Sequence, residues 1–167
     1  MSKTTGNLEA AFAGESQANR KYLFFADKAD SEGQKRIARL FRAAADAETV
    51  HARNHFTVLQ GVKTTKENLA VAIGGEHHEF TAMYPDFIKQ AGTDGDKKAA
   101  SSFELANKVE QIHHGLYQDA LKKLEKGQQM ELKPFYVCQT CGNTVEGTAP
   151  EKCPVCGAPR NMFKLIE

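Results

Sequence analysis

Glutamates stand where the chain's own helical pattern calls for apolar side chains, and this limits what it can fold into. In three segments apolar and small residues recur at alternating steps of three and four, the period of a helix that buries one stripe. Leu8, Phe12, Glu15, Asn19, Tyr22, Ala26 and Ala29 share the first stripe. Ile37, Phe41, Ala44, Glu48, His51, His55, Val58 and Val62 share the second. Ala99, Phe103, Ala106, Glu110, His113, Tyr117, Ala120 and Leu124 form another. Between them runs a less regular segment, Leu69, Ala72, Glu76, Glu79, Met83 and Phe87, which Pro85 is expected to kink or interrupt. Helix breaks are expected at Ser31 to Gly33, at Gly61 with a Thr64/Glu67 capping box behind it, and at Gly92 to Gly95. Four helices of this length make a bundle.

Five carboxylates, Glu15, Glu48, Glu76, Glu79 and Glu110, thus fall on inward stripes. An unpaired buried carboxylate costs several kcal/mol or takes up a proton, so five together call for cations. Two divalent irons bring four positive charges, and two ferric irons bring six. Glu48 and His51 stand three apart, as do Glu110 and His113, so each pair lies on one helical face and can grip a metal from one helix. Carboxylate-bridged di-iron bundles take one Glu from each of two helices and Glu-x-x-His from each of the other two. Here Glu15 and Glu76 fill the first role, and the second and fourth helices fill the other. A single Glu-x-x-His is commonly a solvated helix face; the shared phase of all these residues is what favours the two-metal reading. Oxygen ligands with only two imidazoles suit iron or manganese, and zinc is also chemically admissible. His55 lies on the stripe as a satisfied core or supporting histidine, while His77, His78 and His114 fall off it.

After Leu124 the stripe stops, and Gly127 to Pro134 reads as a linker into a short tail rich in Gly, Pro and Cys. That tail is too small to bury a useful core, so a metal is the natural staple. Cys138-Gln-Thr-Cys141-Gly and Cys153-Pro-Val-Cys156-Gly form two knuckles, a strong signal for a tetrahedral four-thiolate site. The knuckles alone leave zinc and iron nearly even, and a neighbouring redox site favours iron. All the cysteines lie between Cys138 and Cys156, which in a reducing compartment reads as metal ligands before disulfides.

Lys+Arg 22 against Asp+Glu 21 leaves a formal net charge of +1, so no single-sign field is available to attract nucleic acid or an anionic membrane. Met1 to Asn7 is polar with no apolar stretch behind it, and no later segment approaches the roughly 18 consecutive apolar residues of a spanning helix. A cytoplasmic protein is expected.

With both halves read, the chain closely resembles the rubrerythrins over essentially its whole length. The carrying residues are Phe12-Ala-Gly-Glu15-Ser-Gln-Ala, Ala47-Glu48-Thr-Val-His51, Gly75-Glu76-His-His-Glu79-Phe, Met83-Tyr84-Pro85, Glu110-Gln-Ile-His113 and Cys153-Pro-Val-Cys156-Gly-Ala-Pro. The second Glu of the third helix, Glu79, separates this pattern from plain ferritin-like proteins. The resemblance implies an all-α, ferritin-like four-helix bundle over residues 1–126, a linker over 127–134 and a small rubredoxin-like four-cysteine iron domain over 135–167.

It further implies that Glu48 and Glu110 bridge two irons, with Glu15, Glu76, Glu79 and His113 as terminal ligands. His51 and Glu79 would exchange at one iron as the site is reduced and oxidised, and Tyr22 and Tyr84 would hydrogen-bond to ligand carboxylates. The implied cofactors are a non-haem di-iron centre and one mononuclear iron held by Cys138, Cys141, Cys153 and Cys156. The implied activity is reduction of hydrogen peroxide to water, two ferrous ions each giving one electron to one peroxide. The tail iron would refill that site from a rubredoxin-like carrier or a separate NAD(P)H-dependent reductase, because the chain has no Gly-x-Gly-x-x-Gly motif.

A homodimer is implied, with helices exchanged between subunits in some members. The family bundle has a crossover between its second and third helices, yet Val62 to Asn68 offers only seven residues, at most about 25 Å extended. Either Leu69 to Gly75 serves as the crossover or helices are swapped. The rival readings are a ferroxidase or iron-storage protein using dioxygen, and an electron carrier or zinc-stabilised interaction module.

Overall fold

A computed structural model describes residues 2–166; Met1 and Glu167, at the outer ends of the expected bundle and tail, lie outside the described residues. By packing the chain divides into two units, one ending at Lys63 and one beginning at Thr64.

The first unit is a helical hairpin of α1 (Lys3–Ser31) and α2 (Lys35–Val58). The Ser2 hydroxyl caps α1 by accepting from the Thr5 N–H at 3.1 Å. At the other end the Gln34 N–H reaches the Ala29 carbonyl at 2.8 Å and the Gly33 N–H reaches Asp30 at 3.0 Å, a Schellman stop. Gly33 supplies its left-handed residue at φ 75°, as Gly95 and Gly127 do after later helices. The chain then doubles back with only a short turn.

Alanines line the seam: Ala26, Ala29, Ala38 and Ala45 are the buried residues of the two helices. The Asn19 amide crosses it to donate to the Ala45 carbonyl at 2.7 Å and the Thr49 hydroxyl at 2.9 Å. Phe12 stacks on Phe56 at 4.7 Å between ring centres. The expected α2 stripe is therefore corrected at its ends, since Ile37, Val58 and Val62 are exposed. Small alanines let the helices close along the Ala38–Ala45 line, and over a 24-residue helix that line drifts away from both ends of a three-four pattern.

α2 also stops in a Schellman motif, with Gln60 in the left-handed position at φ 54° and the Gly61 N–H bonded to the Phe56 carbonyl at 2.9 Å. A Cβ on Gly61 would lie 2.1 Å from the Phe56 ring, so any larger residue there would force that ring, stacked on Phe12, to shift.

The second unit opens on the expected capping box. The Thr64 side chain accepts from the Glu67 N–H at 3.3 Å, and the Glu67 carboxylate accepts from the Thr64 N–H at 3.1 Å. This starts α3 (Thr65–His78), so Leu69 to Gly75 is helix and does not serve as a crossover. The cap fixes the start and no breaker precedes Gly74, which explains why the helix begins so early.

Helical winding then widens to a π turn over Glu79–Met83 and resumes as α4 (Tyr84–Asp94). Pro85 causes the interruption that was expected there. Lacking an N–H, it cannot serve the carbonyl four residues back, and the Tyr84 N–H reaches instead to the carbonyl of Glu79, five back. Asp96 caps α5 (Lys97–Glu125), its carboxylate accepting from the Lys98 and Ala99 N–H groups at 3.0 and 2.9 Å. Tyr84 and Phe87 meet Phe103 of α5 at 6.3 and 5.5 Å between ring centres.

The tail is an antiparallel sheet of β1 (Phe135–Cys138), β2 (Thr144–Glu146) and β3 (Phe163–Ile166), in the order β2-β1-β3. Tyr136 pairs with Val145 on one side and Leu165 on the other. Its first knuckle rests on α5, where a Cβ on Gly142 would stand 3.7 Å from the buried Val109 side chain. Among the described residues no helix is long and apolar enough to cross a membrane.

Candidate metal centres

Each unit gathers one carboxylate-histidine cluster. In the first, one ligand atom each from Glu15, Glu48 and His51 lie within 4.8 Å of one another. Helical spacing makes half of this: Glu48 and His51 stand one turn apart on α2, and His51 Nδ1 lies 2.9 Å from Glu48 Oε2. The hairpin makes the rest by laying α1 alongside, which brings Glu15 Oε1 to 4.0 Å from the same nitrogen.

In the second unit Glu76, Glu110 and His113 gather within the same limit. His113 Nδ1 is 2.8 Å from Glu110 Oε2 and 3.9 Å from Glu76 Oε2. The other ring nitrogen, Nε2, lies 2.9 Å from the Thr144 hydroxyl in β2 of the tail. The Thr144 hydroxyl in turn bonds to the Gly142 carbonyl at 3.2 Å.

Burial pushes the Glu76 carboxyl up to about 7, helped by a hydrogen bond to Glu110 and by the charges of Glu110 and Glu79. Burial likewise raises Glu79, with the Glu110 charge next in weight. Glu79 therefore feels Glu110, but the structure does not bring it into the three-residue cluster; it opens the π turn. The Tyr84 phenol is also raised, first by burial and then by Glu110, Glu79 and Glu76, so it keeps its proton beside these acids. Tyr22 meets the rings of Phe25 and Phe41 at 6.3 and 6.2 Å. His77 and His114, expected off the stripe, form a ring cluster with Phe80.

Metal fits these clusters. Glu76 Oε2 is buried without a hydrogen-bond partner, and a cation would satisfy it while displacing the proton that burial favours. A donor set of carboxylates with one imidazole in each half suits iron.

The four cysteines are free thiols. Cys138 and Cys156 Sγ stand 3.7 Å apart, and Cys141 and Cys153 Sγ 3.6 Å. A tetrahedron with metal–sulfur bonds of about 2.3 Å has edges of about 3.8 Å, so the thiols already hold the spacing that a metal needs. Burial pushes the Cys141 thiol well up. Burial also acts to raise Cys153, but the backbone N–H groups of Cys156 and Val155 outweigh it and hold this thiol down at about 7. The knuckle backbone thus favours a thiolate, which is the form that ligates.

Thr144 was not singled out from the sequence. It stands three residues after Cys141, but only the docking of that knuckle on α5 puts its hydroxyl beside His113.

Comparison with known proteins agrees with this architecture. Residues 6–121 match the family model described as Rubrerythrin, and residues 136–164 match the one described as Rubrerythrin, rubredoxin-like domain. The chain is 34% identical to Rubrerythrin-2 of Clostridium acetobutylicum, covering 98% of this chain and 96% of that one. It is 36% identical to the rubrerythrin of Porphyromonas gingivalis, covering 99% and 91%. Among solved structures, the fully reduced, all-ferrous state of nigerythrin is similar at a TM-score of 0.60 and 32% identity, covering 99% of this chain and 88% of that one. The fold is all-α and ferritin-like with a rubredoxin-like four-cysteine domain. Its cofactors are a non-haem di-iron centre and one iron held by four thiolates. By sequence, fold and donor sets together, the chain belongs to the rubrerythrin family.

Proposed function

We propose that the protein is a peroxidase that reduces hydrogen peroxide to water, taking up two electrons and two protons for each peroxide. The observation that carries the reading is the pairing, in one chain, of two glutamate-histidine clusters with a four-thiolate site docked on the helix of one of them. When bound, a pair of ferrous irons supplies both electrons to one O–O bond, so that no lone hydroxyl radical is released.

The chain's own residues hold and tune that pair. By family resemblance Glu48 and Glu110 would hold the irons as bridging ligands, and Glu15, Glu76, Glu79 and His113 as terminal ones. His51 and Glu79 would exchange at one position, and Glu79 stands where the regular helix gives way to the π turn. Glu76 holds a proton near neutral pH until a metal takes its place. Tyr84 stays protonated and orients the carboxylates. The tail, taken as residues 135–167 beyond a linker of 127–134 and a bundle of 1–126, delivers electrons one at a time from a separate carrier or NAD(P)H-dependent reductase. A cytoplasmic location is supported by cysteines that read as metal ligands before disulfides in a reducing compartment.

The partner in this assembly is a second copy with exchanged helices. Six residues, Leu59 to Thr64, join α2 to α3 and reach at most about 21 Å. A crossover along a helix of 24 residues would need to run about 36 Å. Exposed Val58 and Val62 at the end of α2 are the apolar surface that a second copy would cover.

The test is metal analysis and a visible spectrum of anaerobically purified protein, reduced and given one equivalent of peroxide. About three irons per chain, with fast reoxidation by peroxide and slow reoxidation by air, is the expected result. Faster reoxidation by dioxygen would replace the reading with a ferroxidase, and a colourless protein with one zinc and no bundle metal would leave an interaction module.

A further inference from the structure

We infer that Thr144 is a positioning residue for His113, and that through its hydroxyl the docked four-cysteine domain sets the metal affinity of the Glu76–Glu110–His113 cluster. The inference rests on the reading that this cluster holds metal.

A hydroxyl has a single proton to donate, and the Thr144 hydroxyl has the Gly142 carbonyl at 3.2 Å as its acceptor. Its oxygen is then left to accept from an Nε2–H of His113, which meets it at 2.9 Å. Nδ1 then stands on the inner side of the ring, 2.8 Å from Glu110 and 3.9 Å from Glu76, as the nitrogen turned toward the metal position, where a metal would take the place of the proton shared with Glu110. One contact therefore selects both the tautomer and the ring orientation that ligation requires, and it comes from the tail instead of from the bundle.

The other cluster shows what is missing without such a contact. His51 presents Nδ1 to Glu48 and Glu15 in the same way, yet its ring is 53% exposed against 27% for His113. The His51 ring meets Glu48 at 2.9 Å and Glu15 at 4.0 Å, and among the described residues no hydroxyl bonds to its other nitrogen. Two Glu-x-x-His pairs of identical spacing thus differ in whether the histidine is held from behind.

The knuckle geometry gives the hold its stiffness. Gly142, whose carbonyl orients the Thr144 hydroxyl, directly follows Cys141 and sits against Val109 one residue before Glu110. The Cys138 N–H bonds to the Asn143 carbonyl at 2.9 Å, and the Gly142 N–H bonds to the Cys138 carbonyl at 2.8 Å, so the loop that presents Thr144 is the metal-binding knuckle itself.

The experiment uses the full chain as wild type, Thr144→Val and Thr144→Ser, titrated with ferrous iron anaerobically after the four-thiolate site has been filled. Outer-shell partners of a ligating histidine are worth about 10–100-fold in metal affinity, so Thr144→Val should lose that much at the bundle while its thiolate chromophore is unchanged. Thr144→Ser, which keeps the hydroxyl, should recover most of the loss. Equal affinity in wild type and Thr144→Val would overturn the inference while leaving the peroxidase reading intact. No bundle metal in the wild type would instead remove the reading beneath it. A second measurement covers a variant that fails to fold: nitrogen-15 NMR of zinc-loaded wild type should show His113 bound through Nδ1, with a slowly exchanging Nε2–H. Ligation through Nε2, or an Nε2–H in fast exchange with solvent, would overturn the inference as surely.

Discussion

The two hairpins carry the same chemical sentence, one Glu and one Glu-x-x-His, and their surroundings make different sites of it. In the first hairpin the cluster sits on an alanine seam with His51 half exposed. In the second, burial raises Glu76 and Glu79, a π turn interrupts the helix that bears them, and a residue from the tail holds His113. Equal spacing along a helix thus fixes which side chains face one way, while the dielectric, the protonation and the rigidity of the site come from what packs behind them. The second half holds its histidine from behind, and the first leaves its histidine half exposed.

The sharpest way to break this comparison is to remove one carboxylate from each half. Glu110→Ala should abolish iron at the bundle, leaving about one iron of three per chain and an intact red chromophore. Glu48→Ala should do the same if the halves complete one centre. Loss of a single iron from each variant, read by metal analysis, would show two separate mononuclear sites.

Cys153→Ser reverses the pattern. It removes the thiolate held down at about 7, so the tail should lose its iron and its colour while the bundle irons remain. Reduced protein should still be reoxidised by peroxide once, and should then fail to be reduced again by the external carrier.

Protonation separates the halves more gently. The Glu76 carboxyl is raised from 4.5 to about 7 in the folded, metal-free protein, so between those values the folded state keeps a proton that the unfolded state has lost. Its contribution to stability is therefore largest below pH 4.5 and falls as the pH rises through about 7, by up to about 3 kcal/mol. Denaturant melts of apo protein across that window check the sign, and Glu76→Gln should flatten the slope. Conversely, iron uptake should release a proton near pH 6 and much less at pH 8.

The smallest expected effect lies at the end of the first hairpin. Gln60 holds a left-handed conformation that the other Schellman stops give to glycine, so Gln60→Gly should stabilise the fold by about 1 kcal/mol or less. A rise in melting temperature without a change in metal content is the measurement; no rise would mean that the Gln60 side chain offsets its own strain.

Much of this was legible before the fold was known, and for identifiable reasons. Glu48 with His51, and Glu110 with His113, each lie one turn apart, and a helix leaves them no other arrangement. The Thr64/Glu67 box marked the start of α3, and Pro85 marked the change of winding, because both act within a single turn. The ends of the α2 stripe were not legible. Ile37 and Val58 fit the period, yet the line of closest approach was decided by where alanines let α1 come near. Glu79 kept its place in the motif but not in the three-residue cluster, whose members are picked by contacts between α3 and α5 that helical period does not record.

By itself, the sequence determined the helices, their stops, the residues that share each face and the four thiols of the tail, because each depends on neighbours within a few positions of the chain. Tertiary structure alone decided that Glu15 lies beside His51, that Glu76 Oε2 is buried without a partner, and that Thr144 stands behind His113. Those are contacts between segments up to 36 residues apart along the chain, from Glu15 to His51, and helical period carries no record of which turn of one element will rest against which turn of another.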